Sequence, residues 1–138
     1  MKICGCEISA QEIRLAVCQL DDDGAPVMKP IKQTRIEIKD DNDDAQLSAC
    51  LDEIRAFSAE HQIDRFVIKS RARKGRMAGG PPTFKLETLL QLNESTDTRF
   101  VHAATLASFG KKADIDYPEK LPIYLKNAFL VAAYGLKQ

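Results

Sequence analysis

Apolar and polar positions alternate with a short period in the first third of the chain. Residues 2–8 and 13–18 are apolar runs separated by a four-residue turn, a spacing typical of a β-hairpin. The acidic, glycine-ended segment 21–24 is a strong turn signal, and it leads to a third alternating run at 34–38. Three strands joined by short links predict an antiparallel meander.

The period changes to that of a helix in the rest of the chain. Residues 44–60 carry apolar side chains at i, i+3, i+4 and i+7, which predicts an amphipathic helix. Residues 66–68 are continuously apolar, as in a strand buried on both faces. We then expect a helix at 84–92, a strand at 100–103 and a helix at 127–136. The predicted fold class is α/β, a mixed sheet in the order β-β-β-α-β-α-β-α with helices on its faces.

Length and composition are those of an ordinary globular protein. The 138 residues contain no internal repeat or linker, so we expect one domain over 1–138. No stretch approaches the roughly 18 apolar residues of a membrane span. The N-terminal segment becomes charged too early for a signal peptide. We therefore expect a cytoplasmic protein with no membrane partner.

Cysteine and histidine positions do not indicate a zinc site or a redox pair. No CxxC spacing is present, and two histidines do not complete a zinc set. We expect the thiols to be buried small hydrophobic groups. We expect His102 to be buried or hydrogen-bonded rather than catalytic. The cysteines lie inside apolar runs, at Cys4, Cys6, Cys18 and Cys50.

The formal net charge of zero conceals an uneven distribution. A balanced total argues against a protein held on DNA or a membrane by its overall field. The acidic run at 37–44 precedes a predicted helix, where Asp43 or Asp44 is a suitable N-cap and carboxylates are stabilised by the helix dipole. We interpret this run as a solvated helix start rather than a metal site, and the sequence leaves any other role open.

A basic, glycine-rich loop is the strongest candidate for ligand binding. Five cations fall within eight residues at the carboxyl end of the 66–68 strand, the edge where α/β sheets tend to bind ligands. Gly79 and Gly80 would let the backbone approach a ligand, and the first amides of the next helix would point at an anion. The loop has no GxxxxGK[ST] pattern and no aromatic stacking surface of its own. The cations are Lys69, Arg71, Arg73, Lys74 and Arg76.

This composition favours contact with phosphates, hence with DNA or RNA, without sequence choice. Two alternatives stay open: a loop that binds an acidic protein partner, and a loop that only balances the acidic segments. The aromatic residues of the last helix indicate core contacts or a homodimer interface.

The element order resembles that of ribonuclease H-like domains, and the length and opening strand resemble the bacterial Holliday-junction resolvases. The resemblance to an uncharacterised bacterial family, the domain of unknown function numbered 3010, covers nearly the whole chain. It implies the ribonuclease H-like fold and carries no established function. Its specific part is Val67-Ile68-Lys69-Ser70-Arg71, Lys74-Gly75-Arg76-Met77-Ala78-Gly79-Gly80 and Phe84-Lys85-Leu86-Glu87.

The resolvase resemblance also implies a metal site. Resolvases hydrolyse phosphodiesters with two Mg²⁺ or Mn²⁺ ions held by carboxylates on the first strand, the fourth strand and the last helix. Carried over, the first-strand position falls on Glu7, the fourth-strand position on Lys69 or Ser70, and the helix position near Asn127. Serine and asparagine are neutral and weaker ligands, so these positions are degenerate. Glu87 on the second helix is the candidate substitute ligand.

We therefore expect a non-catalytic or weakly catalytic protein that binds the nucleic-acid phosphate backbone. No cofactor or metal is expected, and Glu7 is the ligand if one binds. The alternatives are a divalent-metal-dependent nuclease that uses Mg²⁺ or Mn²⁺ with Glu7 and Glu87 as catalytic residues, and a protein-interaction module. Whether the chain is an enzyme stays open from sequence alone.

Overall fold

The computed structural model describes residues 1–75 and 78–138, and within these ranges six strands form one mixed sheet. The strand order is β3-β2-β1-β5-β6, and β4 also pairs with β2. Strand β1 is antiparallel to β2 and parallel to β5, which is in turn parallel to β6. The strands are β1 (Ile3–Ser9), β2 (Glu12–Leu20), β3 (Pro26–Met28), β4 (Arg35–Glu37), β5 (Arg65–Lys69) and β6 (Asp97–Val101).

Helices cover both faces of this sheet. Helices α1 and α2 pack on one face with a core that includes Cys4, Cys6 and Ile8 of β1. Helix α4 packs on the other face against β1, β2 and β5, and α3 packs against α4. The helices of the described residues are α1 (Asp44–His61), α2 (Pro81–Gln91), α3 (Ala103–Lys112) and α4 (Lys126–Lys137), the last preceded by a 3₁₀ turn at Ile123–Leu125.

A glycine on β1 sets how closely α4 approaches the sheet. A Cβ atom on Gly5 would collide with the carbonyl oxygen of Ala128 and lie 2.9 Å from the Cβ of Ala132. Because side chains alternate along a strand, the side chains of Ile3 and Glu7 point to the same face as Gly5, which is the α4 face. The close contact therefore brings the first turn of α4 next to Glu7.

The predicted mixed sheet is confirmed. The prediction and the structure differ in the short edge strands, where the alternation of apolar and polar residues is weakest. Strand β3 was not predicted, because it has three residues and begins with a proline. Strands β3 and β4 pair with opposite ends of β2, so the predicted meander has an interrupted edge strand. The observed order is therefore β-β-β-β-α-β-α-β-α-α.

Two boundaries and one helix also differ from the prediction. The strand predicted at 100–103 is β6, and Ala103 instead begins α3. Helix α3 was not predicted, because it is short and Leu106 is its one buried residue, so it adds little to the core. Helix α2 begins at Pro81 rather than at residue 84, since proline is well accommodated in a first helical turn.

The acidic run starts α1 and also ties α1 to α2. The Asp43 carboxylate accepts a hydrogen bond of 2.9 Å from the backbone N–H of Ala45, which confirms the predicted N-cap. Lys85 of α2 lies 3.0 Å from the Asp41 carboxylate and donates to its carbonyl oxygen at 2.6 Å. These contacts give the run a structural role.

All four cysteines are free and buried, which confirms their prediction as small hydrophobic groups. Burial raises the pKa of the Cys18 thiol to about 12 and that of Cys50 to about 11, so both thiols stay protonated at neutral pH. No helix in the described ranges combines the length and apolar character needed to cross a bilayer.

Candidate functional site

Glu7 lies at the centre of a polar cluster between β1, β2, β5 and α4. The Asn127 side-chain amide donates to Glu7 Oε2 at 2.6 Å, and Lys69 Nζ lies 3.5 Å from the same oxygen. Arg14 Nη1 lies 3.6 Å from the other carboxylate oxygen. The Glu7 side chain is 14% exposed. We call Glu7, Arg14, Lys69 and Asn127 the Glu7 cluster.

The sheet register explains why these side chains meet. Arg14 is the cross-strand partner of Glu7 in the β1–β2 pair. Lys69 is the last residue of β5, the parallel neighbour of β1, and Asn127 lies in the first turn of α4. Glu7 thus faces the carboxyl end of β5, the fourth of the predicted strands, as we expected.

The residues of the Glu7 cluster do not fit a pair of divalent metal ions. One carboxylate is present, and one of its oxygens is already contacted by an ammonium group and an amide N–H. Lys69 and Arg14 would repel a divalent cation and compete with it for the carboxylate. Within the described ranges, no three His, Cys, Asp or Glu side chains converge in a way that could hold a metal ion.

Ser70 and Glu87 do not join this cluster. Glu87 belongs to α2, which packs on the face opposite to α4, while Glu7 extends toward α4. Ser70 follows the end of β5 and lines a groove together with Glu87. The residues predicted as metal ligands are thus divided between the two faces, with Glu7 and Asn127 on one and Glu87 on the other.

The groove has a volume of about 650 Å³ and lies where β5 and β6 end. Its walls come from the loop after β5, from the exposed side of α2 and from the end of β6. We call it the basic groove. The residues that line it are Ser70, Arg71, Ala72, Arg73, Lys74, Glu87, Gln91, Phe100 and His102.

Some cations of the loop are engaged in contacts within the protein, and others are exposed to solvent. Lys69 is paired with Glu7, and Arg71 Nη1 donates to the Ile8 carbonyl oxygen at 3.4 Å. Arg73 and Lys74 are exposed, and the guanidinium carbon of Arg73 lies 5.1 Å from the centre of the Phe84 ring. Arg76, also predicted to bind phosphate, lies outside the described residues. Arg73 and Lys74 are therefore the described loop cations most accessible to a ligand.

The first three residues of α2 offer no free N–H to an anion, which weakens the predicted contribution of helix amides. Pro81 and Pro82 occupy the first two positions of α2 and have no N–H, and the Thr83 N–H donates to the Gly80 carbonyl at 3.1 Å. A Cβ on Gly79 would lie 2.9 Å from Thr83 Cγ2, so this glycine lets the loop pack against α2. Anion binding by the loop would depend on its side chains instead.

Glu87 is the acidic residue of the groove and is 5% exposed. Burial raises the pKa of its carboxyl group, and two groups oppose this shift, the backbone N–H of Arg71 and the charge of Arg73. Burial thus disfavours the charged form of this carboxyl group, whereas the two loop arginines favour it.

Gln91, Phe100 and His102 were not predicted as members of a site. Phe100 is 41% exposed although it lies in a strand. Phe100 pairs with Ile68 in the β5–β6 register, and parallel strands end at the same edge of a sheet, so this placement was accessible to sequence reasoning. His102 is exposed at the N-cap of α3. The expectation that its side chain is buried was therefore wrong.

Comparison with solved structures establishes the fold. RuvC of Thermus thermophilus is similar with a TM-score of 0.70 at 10% identity, over 96% of this chain and 92% of that one. The yeast mitochondrial Holliday junction resolvase Ydc2 is similar with a TM-score of 0.61 at 9% identity, over 98% and 77%. The Fowlpox virus resolvase, in complex with Holliday junction DNA, reaches 0.57 at 11% identity, over 99% and 97%.

These similarities confirm the predicted ribonuclease H-like fold of the resolvase type, and at such identities they show the fold alone. No functionally curated protein matches the sequence. A family model described as "Protein of unknown function (DUF3010)" matches residues 1–135, so the chain belongs to this family.

Proposed function

We propose that the chain binds nucleic acid through the basic groove, contacts the phosphate backbone with Arg73 and Lys74, and does not cleave it. The observation that carries this proposal is the pair of exposed cations at the carboxyl edge of β5 and β6, beside an open groove. Cations in such a position supply affinity for a phosphate backbone without sequence choice.

The similar structures add support from another direction. Thermus thermophilus RuvC and the Fowlpox virus resolvase have each been solved in complex with Holliday junction DNA. The fold shared with these proteins is therefore compatible with DNA contact. Arg71 contributes positive charge to the groove, but its bond to Ile8 gives it a structural role as well.

Metal-dependent cleavage is the less favoured function. It would require Mg²⁺ or Mn²⁺ held by Glu7 and Glu87, which belong to elements on opposite faces of the sheet. Glu7 is instead neutralised by Lys69 and Arg14. Among residues 1–75 and 78–138, the donor groups beside Glu7 do not fit a metal pair, which supports binding without hydrolysis.

Fluorescence anisotropy on single-stranded and branched DNA, at two salt concentrations, tests the proposal. Replacing Arg73 and Lys74 by alanine should lower affinity and reduce the slope of log K against log salt by about 1 to 2. Each lost phosphate contact removes about 0.7 on single-stranded DNA and about 0.9 on duplex arms. The matched control replaces Lys111 and Lys112, exposed at the end of α3, with the same change in charge.

The control variant should bind like the wild type. Equal loss in both double variants would show a general charge effect and would contradict a site in the groove. Wild-type protein that binds no DNA at low salt would instead favour the acidic protein partner.

A further inference from the structure

We propose that the basic groove takes an unpaired nucleotide, whose base stacks on Phe100 while Arg73 and Lys74 hold the adjoining phosphates. This inference rests on the proposed function and narrows its ligand to nucleic acid with unpaired bases. It depends on an aromatic ring that the fold leaves uncovered within a cationic groove.

Phe100 is exposed because of its place in the sheet. It lies on β6, which is at the end of the strand order in the described chain, and it points away from the side on which Val101 joins the α4 core. Its register partner, Ile68, is fully buried, whereas Phe100 keeps 41% of its surface. A ring that is 41% exposed inside a cationic groove offers an aromatic surface to a partner.

The ring lies among groups suited to a nucleotide. Aromatic side chains in a positively charged groove are how proteins bind single strands, since every base has a face that stacks. Phe84 is less suited to this role, because it is partly buried and Arg73 lies against its ring. Gln91 and His102 are exposed in the same groove and offer hydrogen-bonding groups to the edge of a stacked base.

The buried Glu87 fits the same ligand. A base is neutral, so its contact with the groove is compatible with the lining side chain of Glu87, which is 5% exposed and whose carboxyl pKa burial raises. Phosphates, in contrast, would be held at the rim by the exposed cations. A base paired within a duplex keeps both faces stacked on its neighbours and cannot use Phe100 without being extruded.

The experiment compares three ligands of equal length: a mixed single strand, the same strand with an abasic tract, and a duplex. Wild-type protein should bind the single strand about 5- to 150-fold more tightly than the abasic strand, the range expected for stacking of one base. Replacing Phe100 by leucine keeps an apolar side chain but removes the ring, and should abolish this preference. Phe100→Trp should retain it, and Leu92→Ala, which truncates another half-exposed side chain, should not change it.

A 2-aminopurine placed in the single strand provides a second readout. Its fluorescence should be quenched by the wild type and by Phe100→Trp but not by Phe100→Leu. Equal affinity for the normal and abasic strands, or a preference that survives in Phe100→Leu, overturns the stacking site while leaving phosphate binding intact. No binding of any of the three ligands by the wild type overturns the proposed function and this inference together.

Discussion

At the level of single residues, the Glu7 cluster shows how neighbouring side chains set the chemistry of a carboxylate. Lys69 places an ammonium group against the carboxylate, and Asn127 donates an N–H where an aspartate would accept a metal. Each contact engages a carboxylate oxygen of Glu7 and makes that oxygen less available as a metal ligand. The cluster therefore favours a neutralised ion pair over a metal site.

Titration of the wild type with Mn²⁺ should show no binding tighter than about millimolar by calorimetry. Changing Lys69 to Glu together with Asn127 to Asp removes the ammonium group and the amide, leaves Arg14 in place, and adds two carboxylates beside Glu7. Mn²⁺ affinity should then rise by about tenfold or more, because the number of charged oxygen ligands sets the affinity of such sites. Lys69→Met, which removes the ammonium group without adding a ligand, is the control and should bind as weakly as the wild type. Micromolar binding by the wild type would revive the nuclease alternative.

Glu87 should make stability depend on pH. Its folded pKa lies above the ordinary value of 4.5, so the folded chain holds this proton more tightly than the unfolded chain. The contribution of Glu87 to stability is therefore full below pH 4.5 and is lost as the pH rises through its folded pKa. Glu87→Gln should remove this loss, so its free energy of unfolding relative to the wild type should increase with pH.

Urea unfolding at a series of pH values, from below the ordinary pKa to above neutrality, measures that difference. Glu119→Gln, at an exposed position, is the control and should parallel the wild type throughout. A Glu87→Gln difference that is constant over the whole series would contradict the shifted pKa.

At the level of elements, the contact between α4 and β1 builds the Glu7 cluster. Helix α4 can lie against β1 because Gly5 has no side chain. The buried face of α4 then completes the apolar core on this side of the sheet. The chain segments that meet here lie 120 residues apart. The packing of one helix thus decides which side chain faces Glu7.

Gly5→Ala should destabilise the protein by about 3 kcal/mol, because the added methyl group meets the α4 backbone rather than a movable side chain. Gly110→Ala on α3 is the matched control: its Cβ would lie 3.3 Å from the tip of the Leu130 side chain, and alanine favours a helix. Chemical denaturation compares the two variants. A Gly5→Ala protein as stable as Gly110→Ala would contradict the close packing of α4 on β1.

At the level of the whole molecule, the sheet separates two polar regions. The Glu7 cluster lies on the α4 side, and Glu87 enters the basic groove from the α2 side. Ion pairs and hydrogen bonds occupy the first region, whereas exposed cations and a half-exposed aromatic ring characterise the second. This separation directs the proposed ligand to the groove rather than to the Glu7 carboxylate.

Much of this architecture was accessible from local sequence patterns. The hairpin of β1 and β2, helix α1 with its Asp43 cap, and the buried strand β5 each have a strong period or a specific terminal residue. Strand β3 has three residues and helix α3 has one buried residue, so both were missed because each adds little apolar surface to the core. The approach of Glu7 to Lys69 and Asn127 was expected from the resemblance to resolvases, because that resemblance implies which strands and helix lie next to each other.

The sequence by itself determined the alternation of strands and helices, the buried thiols and the basic character of the loop after β5, because each depends on neighbouring residues. Tertiary structure alone decided that Lys69 neutralises Glu7, that Glu87 lies on the other face, and that Phe100 opens into the basic groove. These outcomes depend on strand register and on which helix covers which face, so they join residues distant in sequence. Local periodicity tells which residues of a strand or helix share a face, but not which distant element packs against that face. Apolar surface is buried equally well by any apolar partner, so only the packed sheet decides the contacts.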